Sequence, residues 1–103
     1  MPVKHIKSTE EFDEAIKTGL VVVDFFATWC GPCKVIKPFL EEKSNQMPHI
    51  AFYAVDVDEN PGLCEREEVS AMPTFKLYKD GKVVETIVGV RKPKLEEAIN
   101  NLK

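Results

Sequence analysis

The sequence predicts an α/β domain in which a mixed sheet of about five strands lies between helices. Three observations lead to that class. Apolar runs of strand length alternate with amphipathic stretches of helix length along most of the chain. The breaks between them fall on capping and turn residues. The last two strand patterns flank an Asp-Gly pair in place of a helix. At 103 residues the chain is too short for two domains each to bury an adequate core, so residues 1–103 read as one domain.

Val3 to Ile6 is a short strand candidate. Ser8 and Glu11 form a capping box ahead of a helix with Phe12, Ala15 and Ile16 on its apolar face, stopping near Gly19. Residues 20–27 read as a buried strand interrupted by a single charge, Asp24. The helix that follows carries Val35, Ile36, Phe39 and Leu40 on one face. Pro38 inside it removes one backbone hydrogen bond and should kink it. Ile50 to Val57 is a third strand, and Asn60-Pro61 supplies an N-cap and first-turn residue for a short helix. Thr74 to Tyr78 and Val83 to Val88 flank Lys79-Asp80-Gly81-Lys82, a hairpin signal because both central residues of such a turn take positive φ. Pro93 opens a final helix with Leu95, Ala98, Ile99 and Leu102 on one side. The order is β-α-β-α-β-α-β-β-α. Right-handed crossovers in its parallel part put helices on both faces, and the closing hairpin adds two antiparallel strands.

The net charge of −3 argues against nucleic acid as a partner, because phosphate binding needs a positive field. Lys34 and Lys37 read as the solvated face of a helix rather than part of a basic stripe. Met1 to Lys7 contains no apolar core of a secretory signal, and the longest apolar stretch is far too short to cross a bilayer. Neither a retention nor a lipidation signal closes the chain. Three cysteines is an odd count that does not suit a secreted disulfide framework. The expectation is a cytoplasmic protein in a reducing compartment, without membrane association; a mature organelle form would read the same way.

Chemistry concentrates in Trp29-Cys30-Gly31-Pro32-Cys33, between the strand carrying Asp24 and the following helix. A thiol at a strand-to-helix junction sits where unpaired N–H groups and the positive end of the helix dipole favour a thiolate. A second thiol one turn later can close a disulfide with the first. Taken alone, Cys-x-x-Cys is also half of a zinc site. His5, His49 and Cys64 stand at spacings that fit no metal pattern, so no metal is expected. Asp24 is a candidate proton acceptor and donor, since burial should raise its pKa; an outward-facing strand residue is the plainer alternative.

The chain resembles the thioredoxin family over nearly its whole length. The resemblance is carried by Asp24, Ala27-Thr28-Trp29-Cys30-Gly31-Pro32-Cys33-Lys34, Pro38, Met72-Pro73-Thr74 and Gly89. It implies the thioredoxin fold, with five strands and four helices, and the activity of a general protein-disulfide reductase. It also implies that Cys30 is the attacking thiolate, partly exposed, that Cys33 is the shielded resolving thiol, and that Asp24 serves Cys33. Met72-Pro73-Thr74 corresponds to a cis-proline loop facing the cysteines, offering the Met72 backbone to an extended substrate. Trp29, Gly31, Pro32, Met72, Pro73, Val88 and Gly89 would form the substrate-docking surface, with Trp29 as a core residue the competing reading. Pro32 withholds an N–H that would stabilise the thiolate, and neither Gly31 nor Pro32 offers a side-chain donor, which favours a reductant over an oxidant.

The resemblance implies no cofactor, because the cysteine pair holds the electrons. The implied partners are a recycling thioredoxin reductase, of the NADPH-dependent flavoprotein kind, and protein disulfides such as those of peroxiredoxins; the chain is expected to be a monomer. A dedicated electron donor to a peroxidase-type enzyme is an alternative. A redox-independent binding subunit is another, disfavoured because binding alone would not need both cysteines. Two positions depart from the family pattern. Phe26 stands where tryptophan is frequent, and Ala54 where a lysine commonly neighbours the buried aspartate, so nothing is expected to offset the desolvation of Asp24. Cys64 is expected to be a packing residue, with a regulatory thiol as the sharper alternative.

Overall fold

The computed structural model describes residues 3–103; Met1 and Pro2, which open the segment read above as lacking a signal, lie outside them. The strands are β1 (Val3–Ile6), β2 (Leu20–Phe26), β3 (Ile50–Asp56), β4 (Thr74–Lys79) and β5 (Lys82–Val88), and the helices α1 (Thr9–Ile16), α2 (Gly31–Gln46), α3 (Pro61–Arg66) and α4 (Lys92–Asn100). The sheet order is β1-β3-β2-β4-β5. β3 pairs in parallel with β1 and β2, whereas β4 runs antiparallel to β2 and β5. This is the expected mixed five-stranded sheet with four helices.

Local chemistry accounts for the element ends. The Ser8 hydroxyl accepts from the Glu11 N–H at 3.0 Å, and the Glu11 carboxylate accepts from the Lys7 N–H at 2.7 Å, one residue earlier than a reciprocal box would have it. Asp80 (φ 50°) and Gly81 (φ 87°) form the hairpin turn, and the Asp80 carboxylate accepts from the Gly19 N–H at 2.8 Å. Asn60 precedes α3 but makes no side-chain cap; its amide instead donates to the Asp56 carbonyl at 3.0 Å. The third strand ends at Asp56 rather than Val57, as the Asp56 carboxylate accepts from the Asp58 N–H and turns the chain. The last helix begins at Lys92, with Pro93 in its first turn.

β2 is central and buried on both faces, so it divides the core in two. Val22 packs with Ile36, Phe39 and Leu40 of α2 and with Leu95, Ile99 and Leu102 of α4 and the C-terminus. Val21, Val23 and Phe25 pack on the other face with Phe12 and Ile16 of α1 and Leu63 and Cys64 of α3. Alternation along the strand therefore turns Asp24 toward the α2 face, with Ala54 as its register partner in β3 and Phe75 in β4.

The expected apolar face of α2 is corrected at one position: Val35 is 73% exposed. The helix starts at Gly31, earlier than its apolar pattern suggests, and its buried positions are Cys33, Ile36, Phe39, Leu40, Lys43 and Ser44. Val35 lies about 100° from either neighbour around the axis and falls outside that stripe. Lys43, a buried cation, reaches Asn100 Oδ1 at 3.1 Å and Glu96 Oε2 at 3.3 Å on α4.

Candidate active site

Cys30 is the N-cap of α2 and holds extended backbone (φ −90°, ψ 108°) while Gly31 and Pro32 open the helix. Its Sγ lies 3.2 Å from the Cys33 N–H, which donates to it, and the Cys30 N–H donates to the Ala27 carbonyl at 3.1 Å. This sulfur thus occupies the position a capping oxygen usually takes, at the positive end of the helix. Cys30 and Cys33 are joined as a disulfide.

In this disulfide state Cys30 is only 5% exposed, a correction to the expected partial exposure. Ala27, Cys33, Met72, Phe26 and Val57 surround it, and the Met72 carbonyl lies 3.7 Å from its Sγ. Cys33 is buried to the same degree. The Met72–Pro73 peptide bond is cis, and the Pro73 carbonyl accepts from the Gly89 N–H at 2.8 Å. That bond brings the end of β5 beside the proline loop. Gly89 has φ 88°, a conformation that glycine adopts without the cost of a Cβ.

Of the residues expected to dock substrate, Trp29 (67% exposed), Gly31, Pro32 and Val88 (50% exposed) are at the surface, Met72 and Gly89 are half-buried, and Pro73 is buried. The alternative of Trp29 as a core residue is overturned: its indole N–H donates to Asp58 Oδ2 at 2.9 Å and the ring stands in solvent. Asp58 was not legible from pattern, since it lies in a turn that only the fold brings beside Trp29.

Behind the disulfide lies a cavity of about 300 Å³ lined by Asp24, Cys33, Ala54, His5, Lys37 and neighbouring residues of β1, β2, β3 and α2. Asp24 is 6% exposed, and its Oδ1 accepts no hydrogen bond from any described residue. Burial pushes its carboxyl from 3.8 up to about 7, with Lys37 pulling weakly the other way. The expectation that nothing offsets this desolvation is therefore corrected. Ala54 brings no charge, but Lys37 does so from the helix, a relation invisible in sequence because the two residues lie on different elements.

Cys64 lies apart, buried with Leu63 and Val55 in the core under α1 and α3. Its thiol is pushed up, first by burial and then by Asp56, Asp58 and Glu67, which suits packing better than thiolate chemistry. Among the described residues no cluster of three His, Cys, Asp or Glu is placed to hold a metal ion, and no helix is long and apolar enough to cross a membrane.

The thioredoxin family profile matches residues 3–101. Thioredoxin-1 of Saccharomyces cerevisiae is 50% identical over 98 residues, covering 94% of this chain and 95% of its own. The structure of Plasmodium falciparum thioredoxin superposes with a TM-score of 0.91 at 47% identity, over 94% of this chain and 96% of that one. Another similar structure, with TM-score 0.92, 40% identity and coverage of 97% and 95%, concerns the thiol resolving mechanism in a yeast mitochondrial 1-Cys peroxiredoxin via glutathione/thioredoxin systems. The Cys30–Cys33 disulfide stands in the active-site position of this family. The chain belongs to the thioredoxin family and is a thiol–disulfide oxidoreductase.

Proposed function

We propose that residues 1–103 act as one domain that reduces protein disulfides, with Cys30 as nucleophile, Cys33 as resolving thiol and Asp24 as the proton carrier for Cys33. The observation that carries this reading is the Cys30–Cys33 pair capping α2, with the orphaned carboxylate of Asp24 in the cavity behind it.

In the reduced protein the Cys30 thiolate attacks one sulfur of a substrate disulfide. A Cys30–substrate bond forms, the substrate S–S bond breaks, and the first substrate thiolate leaves with the electron pair. The Cys33 thiol gives its proton to the Asp24 carboxylate, across or through the cavity they share. The Cys33 thiolate then attacks Cys30 Sγ, closing the Cys30–Cys33 disulfide and releasing the second substrate thiolate, which takes up a proton. Two electrons pass to the substrate, and the cysteine pair is their only store, so no resident cofactor is needed.

Trp29, Gly31, Pro32, Met72, Pro73, Val88 and Gly89 form the docking surface around this pair. The Met72 backbone beside Cys30 offers pairing to an extended substrate segment. The partners are an NADPH-dependent flavoprotein reductase that restores the dithiol and protein disulfides of the peroxiredoxin type. The protein works as a monomer in the cytoplasm, consistent with its cysteine usage. Insulin-disulfide reduction with dithiothreitol tests the reading. Wild type accelerates turnover and Cys30→Ser does not; acceleration by Cys30→Ser at the wild-type rate refutes the assigned nucleophile.

A further inference from the structure

We propose that the cavity behind the disulfide is a binding site for a small neutral molecule of the indole class, two fused aromatic rings with one N–H donor, held by the carboxylate of Asp24.

The cavity follows from the side chains that the sheet sets around Asp24. Ala54, its register partner in β3, ends at a methyl group and leaves room beside the carboxylate. Phe26, two residues along β2, turns to the same face and gives the space an aromatic wall. Helix α2 closes the far side with Cys33 and Leu40. Asp24, Cys33, Leu40 and Ala54 are buried, whereas the lining residues His5, Thr28, Lys34 and Lys37 are exposed. The space is therefore enclosed at its floor and open to solvent at its mouth.

Size, hydrogen bonding and charge together define the ligand. An apolar cavity of about 150 Å³ takes up benzene. This one holds about 300 Å³, room for two fused rings. Asp24 is 6% exposed, and its Oδ1 is the single buried side-chain atom without a hydrogen-bond partner among the described residues. A buried acceptor left unpaired costs free energy that one ligand N–H would recover. Lys34 and Lys37 at the mouth disfavour an incoming cation, and the carboxylate at the floor disfavours an anion. A neutral ring system with one donor meets all of these conditions.

Occupancy of this site has a consequence for turnover, which rests on the reading of Asp24 as proton carrier for Cys33. Both residues line the cavity, so a molecule bound there lies on the path between the thiol and the carboxylate. Cys30 does not line it, and its Sγ lies beside the Met72 carbonyl. The ligand therefore hinders the resolving step and leaves the first attack on the substrate disulfide free.

The test is a methyl ¹H–¹³C NMR titration of the full chain, disulfide intact, with indole and with 1-methylindole. Indole should shift the methyls of Val3, Ala27, Leu40 and Ala54 along one saturable curve, with a dissociation constant of about 1 mM for so small a ligand. 1-Methylindole keeps the rings and lacks the donor, so it should bind about tenfold more weakly. Ala54→Leu fills the cavity and should abolish the shifts; the ligand pair decides the question even where that variant fails to fold. Equal binding of the two ligands overturns the role given to Asp24 in recognition. Shifts that never saturate, or that spread to the exposed methyls of Val83 and Val84, overturn the site itself. In single-turnover reduction of a disulfide substrate, saturating indole should slow release of the second thiol to the rate of Asp24→Asn. Asp24→Asn without ligand examines the underlying reading separately: release as fast as in wild type refutes Asp24 as proton carrier and leaves the binding result standing.

Discussion

Asp24→Asn should make the oxidised protein more stable, and by an amount that depends on pH in a calculable way. Asp24 is buried, and its carboxyl is pushed from 3.8 to about 7 by loss of solvent. Below pH 3.8 the carboxyl is protonated in both folded and unfolded chains, so it contributes no difference. Between 3.8 and about 7 the unfolded chain ionises while the folded one keeps its proton, and stability falls as pH rises. Above about 7 the cost is complete and constant. Each of the roughly three pH units is worth about 1.4 kcal/mol, so burial of the charged form costs about 4 kcal/mol at pH 8.5. The asparagine carries its own packing change, but that change does not titrate. Urea unfolding of both proteins, disulfide intact, at pH 4 and pH 8.5 isolates the carboxyl. The stability difference should grow by about 4 kcal/mol between the two, or about 2 M in urea midpoint for a slope near 2 kcal/mol/M. A difference that stays constant from pH 4 to pH 8.5 refutes the claim that Asp24 is held neutral by burial.

Other consequences can be measured separately. Cys33→Ser should accumulate a mixed disulfide between Cys30 and substrate, visible as an intact adduct by mass spectrometry under non-reducing conditions; a freely turning-over variant would contradict the resolving role. Phe12→Ala should destabilise the fold by about 3–5 kcal/mol in urea titration, because Phe12 is fully buried and packs edge-on to Tyr78 at 5.7 Å. A loss below about 1 kcal/mol there would mean that the core under α1 collapses around the hole. Ser8→Ala should cost about 1 kcal/mol by removing the cap that accepts from the Glu11 N–H, and Ser8→Asp should cost much less.

What could be read in the sequence was whatever depends on neighbours along the chain. The apolar run from Leu20 to Ala27, the Ser8 cap and the Asp80-Gly81 turn are local, and each led to the right element. Cys30 and Cys33 were legible for the same reason, being one turn apart on one helix. Contacts between elements were not. Nothing in the order of residues announces that Asp58 receives the Trp29 indole, that Lys37 lines the same cavity as Asp24, or that Val35 misses the core while Lys43 enters it. The resemblance implies a partly exposed Cys30. The folded chain instead packs the disulfide under Met72 and its apolar neighbours. Met72-Pro73, distant in sequence, was recognisable only through the family resemblance.

The far end of α2 bears on how the near end can work. Lys43 is clasped by Asn100 and Glu96, and Lys92 sits over the Phe39 ring at 5.2 Å, so the last turns of this helix are fastened to α4 by charge as well as by apolar packing. The first turn carries Gly31 and Pro32 at the surface and is tied down chiefly by the cysteines themselves. The end that bears the cysteines is thus held by their disulfide rather than by ion pairs to α4. Helix α2 is built as a cantilever, clamped at the end away from the disulfide and bearing its two sulfurs at the other.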